Sequence, residues 1–189
     1  MFDPAPPPAG GTFNILMVIS RPGGPEKDVA FQSVVRPLLE LFRPHRDRIH
    51  LDVLRPPTFE RLSQVLAEKP GYYQVVHFDG HGTFPNAGGD AAAANRFYRL
   101  EGAQGLLAFE GEAGGTRLVT GEELGGVLAR SQAPVVLLNA CRSGMTHPES
   151  LYPSVGNQLL KAGARGVIAM TYSVYVQSAV RFMARLYEA

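Results

Sequence analysis

Cys141 and His81 are the two residues whose types and settings can support nucleophilic chemistry. Cys141 is the only cysteine of the chain and comes soon after the short apolar run Val135 to Leu138. His81 follows a second short apolar run, Tyr73 to Phe78. A histidine beside a cysteine accepts the thiol proton or holds the thiolate as an ion pair, and it then protonates a leaving amine. The pair therefore predicts a thiol nucleophile served by a general acid/base.

The two apolar runs are predicted to be buried parallel strands. Each run is rich in β-formers and too short for an ordinary helix. Parallel strands deliver their last residues to the carboxyl edge of the sheet, where open α/β sheets bind ligands. If the two strands are neighbours, His81 lies just past the end of one and faces Cys141 across a crevice. The sequence thus predicts one site shared by both residues.

The rest of the chain alternates strands with helices, which predicts an α/β fold with a mostly parallel, doubly wound sheet flanked by helices. We expect the strand order 2-1-3-4-5, with a small hairpin inserted between the third and fourth strands. Pro37 is expected to kink the first helix or make it restart. The predicted strands are 12–20, 49–54, 73–78, 135–138 and 166–171, the hairpin is 105–110 with 116–119, and the helices begin near Asp28, Thr58, Thr120, Val155 and Val176.

Bulk composition indicates one globular domain. The chain has 189 residues, of which 45% are hydrophobic and 19% charged, and its formal net charge is +1. It carries no basic stripe, so no nucleic-acid partner is expected. A single cysteine excludes an intrachain disulfide and fits a cytoplasmic protein. The sequence has no apolar run of about 18 residues and no signal peptide, so no membrane partner is expected. Residues 1–11 are interpreted as a disordered leader or linker, and residues 12–189 as one domain that is a fragment of a larger multidomain protein.

The two motifs together resemble the CHAT domain, the caspase-like peptidase module of the caspase, gingipain and separase clan. They are His-Phe-Asp-Gly-His-Gly at 77–82 and Leu-Asn-Ala-Cys-Arg-Ser-Gly at 138–144. The second is a near match to the caspase pattern Q-A-C-[RQG]-G, which has a histidine about 50 residues upstream. The resemblance extends over most of the chain from about Phe13, through segments 15–22, 54–59, 106–110, 119–124 and 164–172.

This resemblance implies a caspase-like fold and a cysteine endopeptidase that works through a Cys141/His81 dyad and an acyl-enzyme thioester. The backbone N–H of Gly82 is implied as an oxyanion donor, and that of Cys141 as another. The glycine also lets the backbone approach the scissile carbonyl, since it has no Cβ. The resemblance further implies a protein substrate and a regulatory domain or activator partner, in regulated proteolysis such as bacterial defence. No cofactor or metal is expected.

Three further residues are candidates for substrate binding. In related peptidases the residue two before the cysteine lines the pocket for the side chain that precedes the cut, and here it is Asn139, whose neutrality leaves the charge preference open. Asp79 is interpreted as orienting His81 or shaping that pocket, or else as a turn residue. Arg21 follows the first strand and is interpreted as pairing with an acidic substrate group, or else as a solvated loop residue.

Other chemistries fit the sequence less well. A phosphatase loop, the glycine pair of a hydrolase or glutaminase elbow, and zinc-ligand spacing are all missing around Cys141. His77 is interpreted as a structural, hydrogen-bonded histidine. The alternative from another functional class is a catalytically silent interaction or regulatory module that keeps the caspase-like fold.

Overall fold

A computed structural model describes residues 11–24, 32–83, 105–140, 154–169 and 185 of the chain. Within these residues, seven strands and four α-helices alternate as the sequence predicts. The strands are β1 Phe13–Ile19, β2 Ile49–Val53, β3 Val75–Thr83, β4 Leu106–Glu110, β5 Thr116–Thr120, β6 Val135–Ala140 and β7 Gly166–Ala169; the helices are α1 Gln32–Phe42, α2 Phe59–Glu68, α3 Gly121–Arg130 and α4 Val155–Lys161.

Five strands form a parallel sheet in the order β2-β1-β3-β6-β7. This confirms the predicted order 2-1-3-4-5, because β4 and β5 form the inserted hairpin. The sheet brings β3 and β6 side by side as neighbours, with Val75 opposite Val135 at their amino ends. The two strands that carry the predicted motifs are therefore adjacent.

The third strand is longer than predicted, and the placement of His81 beyond its end is wrong. β3 continues through His81 to Thr83 because β4 supplies an antiparallel partner there, with His81 opposite Ala108 and Thr83 opposite Leu106. β3 therefore changes partners along its length. Up to Gly80 it pairs with β1 and β6 in the parallel sheet, and from His81 it pairs with the hairpin.

Apolar side chains cover both faces of the parallel sheet, as expected for a doubly wound fold. The larger core lies between the sheet and helices α2, α3 and α4, and the smaller core lies beneath α1. An aromatic stack joins the hairpin to the larger core, since the ring of Phe109 lies 4.9 Å from that of Phe78 and 5.6 Å from that of Phe59. The hairpin is thus packed against the domain as well as hydrogen-bonded to β3.

Helix ends follow the predicted signals where the structure describes them. Thr120 and Glu123 form a capping box at the start of α3, and Thr58 accepts a hydrogen bond from the backbone of Arg61 at the start of α2. α1 runs from 32 to 42 without restarting at Pro37. The predicted start of that helix at Asp28 and the last predicted helix lie outside the described residues. No helix among the described residues is long and apolar enough to cross a membrane.

Candidate active site

Parallel pairing of β3 with β6 fixes the spacing of the two predicted motifs. Gly80 and Ala140 are the last register partners of these strands. His81 follows Gly80 in the chain, and Cys141 follows Ala140. Cys141 itself lies outside the described residues. The residues directly before the two predicted catalytic residues are therefore neighbours at the carboxyl edge of the sheet.

His81 is held by backbone pairing yet is exposed to solvent. It lies opposite Ala108 in the antiparallel ladder, and Gly82, the predicted oxyanion donor, lies opposite Leu107. Leu107 is completely buried, and β4 is itself paired with β5 along its whole length. The hairpin therefore fixes the backbone of His81 and leaves its side chain exposed to solvent.

The three predicted substrate-binding residues form one polar cluster. The carboxylate of Asp79 forms an ion pair with the guanidinium of Arg21, and its Oδ1 accepts a hydrogen bond of 2.5 Å from Asn139 Nδ2. Arg21 Nη1 also donates to the carbonyls of Ser20 at 3.0 Å and Asp79 at 2.9 Å. The cluster thus ties together the carboxyl ends of β1, β3 and β6.

Burial excludes one interpretation of each of two of these residues. Asp79 lies within β3 and its side chain is 4% exposed, so the turn interpretation is wrong. The side chain of Arg21 is 12% exposed and paired, so the solvated-loop interpretation is wrong as well. Both side chains are largely buried, because they form contacts between strands.

Glu110 is a member of this cluster that the sequence did not reveal. Its Oε1 accepts a hydrogen bond of 3.1 Å from the backbone N–H of Arg21, across 89 positions of sequence. The residue also forms an isolated bridge with Thr58, at the start of α2. A glutamate that ends a predicted hairpin strand is the only sequence signal for this contact. Through Glu110 the hairpin reaches β1 as well as β3.

His77 is a core residue of the sheet. Its side chain is completely buried, and by the alternation of β3 it lies on the same face as Val75, in the smaller core. Burial disfavours the charged imidazolium and lowers the pKa of His77 to about 4. A histidine that is neutral at physiological pH and out of reach of solvent agrees with the predicted structural role.

A grouping suited to a metal ion is not found in the part of the chain that the structure describes. No three histidine, cysteine or acidic side chains come together there. The acidic residues of the polar cluster, Asp79 and Glu110, each accept hydrogen bonds from Arg21. The described chemistry at this edge is that of a hydrogen-bonded polar cluster beside an exposed histidine.

Comparisons with known proteins agree with the fold and the motifs. The family model of the CHAT domain matches residues 30–189, which contain both motifs. A search of curated proteins gave no match. The family match covers well over half of the sequence, and it includes the parallel sheet from β2 onward and the hairpin that pairs with His81. The chain therefore belongs to the CHAT domain family, which is related to the caspase-like cysteine peptidases.

Proposed function

We propose that this domain is a cysteine endopeptidase in which Cys141 is the nucleophile and His81 the general acid/base. The observation that carries the proposal is the register of β3 with β6, which makes Gly80 and Ala140 partners immediately before the two residues. This register supports the proposal, because thiol catalysis requires the imidazole to lie near the thiol and the residues directly before His81 and Cys141 are partners. Family membership supports the same reaction class.

The reaction proceeds in two stages through a covalent intermediate. His81 takes the thiol proton of Cys141, and the thiolate adds to the carbonyl carbon of the scissile peptide bond. The backbone N–H groups of Gly82 and Cys141 stabilise the oxyanion that forms. The C–N bond then breaks, the imidazolium of His81 protonates the leaving amine, and a thioester remains. Water activated by His81 hydrolyses this thioester, releasing the new carboxyl terminus and restoring the thiol.

The setting of His81 fits this double role. The side chain is exposed, so a substrate can reach it, and the antiparallel ladder with β4 holds its backbone. A catalytic base must stay within about 3 Å of the proton that it transfers. A position inside a strand meets this demand better than a position in a loop, since a loop residue moves more.

Other domains or protein partners would control this activity, in a bacterial signalling or defence setting. This part of the proposal follows from the family resemblance, in which the peptidase domain is one module of a larger protein. The competing function is a silent module that binds partners through the same fold. The two are separated by asking whether Cys141 reacts in a manner that needs His81.

Covalent labelling tests the proposal directly. We would incubate the protein with a library of peptidyl acyloxymethyl ketones and measure the intact mass of the wild type, of Cys141→Ala and of His81→Ala. We expect one adduct per wild-type chain and none in either variant, because the thiolate forms only with the help of the imidazole. Peptide mapping would place the adduct on Cys141.

A matched histidine variant separates catalysis from folding. His50→Ala removes an exposed histidine from β2 and should label like the wild type. Circular dichroism of each variant checks that the sheet is intact. If Cys141 reacts equally well with and without His81, or stays unlabelled while the protein is folded, the peptidase proposal is wrong and the silent module is favoured.

A further inference from the structure

The amide of Asn139 has a fixed orientation. Its Nδ2 donates to Asp79 Oδ1, and the other carboxylate oxygen of Asp79 is paired with Arg21. A carboxylate in an ion pair accepts hydrogen bonds and cannot donate them. Asn139 must therefore turn its NH₂ group toward Asp79, and a rotation by half a turn would place two acceptor oxygens against each other.

This orientation leaves the carbonyl oxygen of Asn139 available. Oδ1 accepts no hydrogen bond from any residue that the structure describes, and the residue is partly exposed at the carboxyl edge of β6. An amide oxygen has two lone pairs and is a good acceptor for N–H donors. Asn139 therefore offers an acceptor, two residues before Cys141, although asparagine in general offers either kind of group.

The charge around Asn139 disfavours an acidic ligand. Arg21 is the cation of the cluster, and its guanidinium is engaged with the Asp79 carboxylate and with two carbonyl oxygens. Glu110 adds a second carboxylate, on the backbone N–H of Arg21. These three charged side chains sum to one negative charge. A substrate carboxylate would meet a paired arginine, the acceptor oxygen of Asn139 and the net negative charge of the cluster.

We propose that Asn139 selects substrates in which the side chain before the scissile bond is a hydrogen-bond donor, either an amide or a cation, and that it rejects carboxylates. Asp79 is the positioning residue that fixes the orientation of the Asn139 amide. This inference rests on the proposed peptidase function. The sequence alone leaves the charge preference of the substrate open, because asparagine is neutral, and this inference assigns that preference. Asp79 acts through Asn139 and does not contact substrate, because its side chain is buried and both of its oxygens are engaged.

Two pairs of probes isolate this interaction. The first pair of peptidyl ketones differs only in Gln against Glu at the position before the ketone, and the second only in Lys against norleucine. Each pair keeps the size of the side chain and changes its hydrogen-bonding group. Gln can donate a hydrogen bond to the amide oxygen of Asn139, whereas the carboxylate of Glu cannot donate and is repelled by the net negative charge of the cluster, so we expect Gln to label roughly tenfold faster than Glu. The Lys probe should likewise label Cys141 faster than the norleucine probe.

Substitution of Asn139 tests which residue sets the ratio. Asn139→Leu removes the acceptor with little change in volume, and it should bring the Gln-to-Glu and Lys-to-norleucine ratios toward one. Asp79→Asn frees the amide to rotate and should lower both ratios as well. Asn157→Leu alters an exposed asparagine of α4 and is the matched control, in which both ratios should stay as in the wild type.

The outcomes separate this inference from the peptidase proposal. If no probe labels Cys141, the proposed function fails and the selectivity falls with it. If Cys141 is labelled but Glu reacts as fast as Gln, or Asn139→Leu keeps the wild-type ratios, the peptidase stands and the inference is overturned. Should Asp79→Asn fail to fold because Arg21 loses its partner, Asn139→Leu still decides, since it leaves that ion pair in place.

Discussion

Gly80 lies against the ring of Phe78, two residues before it in the same strand. A Cβ at Gly80 would approach ring atoms of Phe78 at 2.8 and 2.9 Å and the carbonyl oxygen of Ser20 at 3.2 Å. Phe78 is 1% exposed and packed against Phe109, so its ring has no room to withdraw. The main chain of β3 can thus approach β1 and the aromatic stack only without a side chain at this position.

The first prediction concerns this contact. Gly80→Ala should lower the free energy of unfolding by about 1–3 kcal/mol, the usual cost of overpacking a closely filled core. Urea denaturation followed by circular dichroism measures the change. A variant as stable as the wild type would mean that the ring of Phe78 can move aside despite its burial.

Two adjacent glycines of α3 should respond to alanine with opposite signs. A Cβ at Gly125 would overlap the Cβ of Ala162, just beyond α4, whereas a Cβ at Gly126 would lie 3.5 Å from Arg130 Nη1 in ordinary contact. We expect Gly125→Ala to destabilise the protein by about 1–3 kcal/mol. Gly126→Ala should stabilise it by about 0.5–1 kcal/mol, because alanine is the better helix former. Equal effects in urea denaturation would contradict the packing of α3 on this neighbour.

Stability should fall as the pH drops below 6.5 because of His77. Its pKa is about 4 in the folded protein against 6.5 in the unfolded chain, so the unfolded state binds the proton first. The stability is complete above pH 6.5, declines as the pH falls toward 4 and then levels off. The shift corresponds to about 3 kcal/mol.

Urea midpoints measured between pH 7 and pH 4 would show this decline, and His77→Gln should flatten it since glutamine does not titrate. His50→Gln is the matched control, because His50 is exposed on β2 and its removal should leave most of the decline in place. An unchanged slope in His77→Gln would assign the acid sensitivity to other groups.

Arg117 connects the hairpin to two helices and should influence His81 through it. It forms ion pairs with Glu60 at 2.8 Å and Glu123 at 3.2 Å, and its guanidinium lies 5.3 Å from the ring centre of Phe59. The side chains of Glu60 and Glu123 are 38% and 40% exposed, so we expect Arg117→Met to cost only about 1 kcal/mol in global stability. The local effect should be larger. Hydrogen exchange of the amides from His81 to Thr83 should speed up in Arg117→Met and stay slow in Arg130→Met, which changes an exposed arginine of α3.

The 189-residue chain on its own should be a weak peptidase. Peptidases of this kind commonly wait for an activator, and a competent state populated at a few per cent would lower labelling at least about tenfold. Molar sodium sulfate, which favours compact ordered states, should raise the labelling rate of Cys141. Rapid peptide cleavage by the bare chain without salt or partner would refute this expectation.

Local sequence signals predicted the elements well where the determinant is local. The capping box of Thr120 and Glu123 marks the start of α3, and the apolar run from Val135 marks β6. The parallel order followed from the alternation of strands and helices. These features depend on neighbours in sequence or on simple rules of connection.

Contacts between distant segments were not predictable in the same way. The extension of β3 past His81 depends on β4, which begins 25 positions later, and the Arg21 ion pair with Asp79 spans 58 positions. The hydrophobic periodicity of one segment does not indicate which distant segment pairs with it. Asp79 and Arg21 were candidates by their place after strands, and Asn139 by the family resemblance. Their mutual pairing, and the contact of Glu110 with Arg21, arise only when the strands come together in the fold.

The pairing of Thr83 with Leu106 has a consequence for how this protein can change over evolution. The two residues are partners in the antiparallel ladder, so the chain between them leaves and returns at the same place. As a general rule, the entropic cost of closing a connection between two paired residues rises by only about 0.6 kcal/mol for each doubling of its length. Insertions and deletions between positions 84 and 105 can therefore accumulate in descendants without shifting the ladder that holds His81. The length of this connection can therefore vary while the strand that carries His81 keeps its pairing with β4.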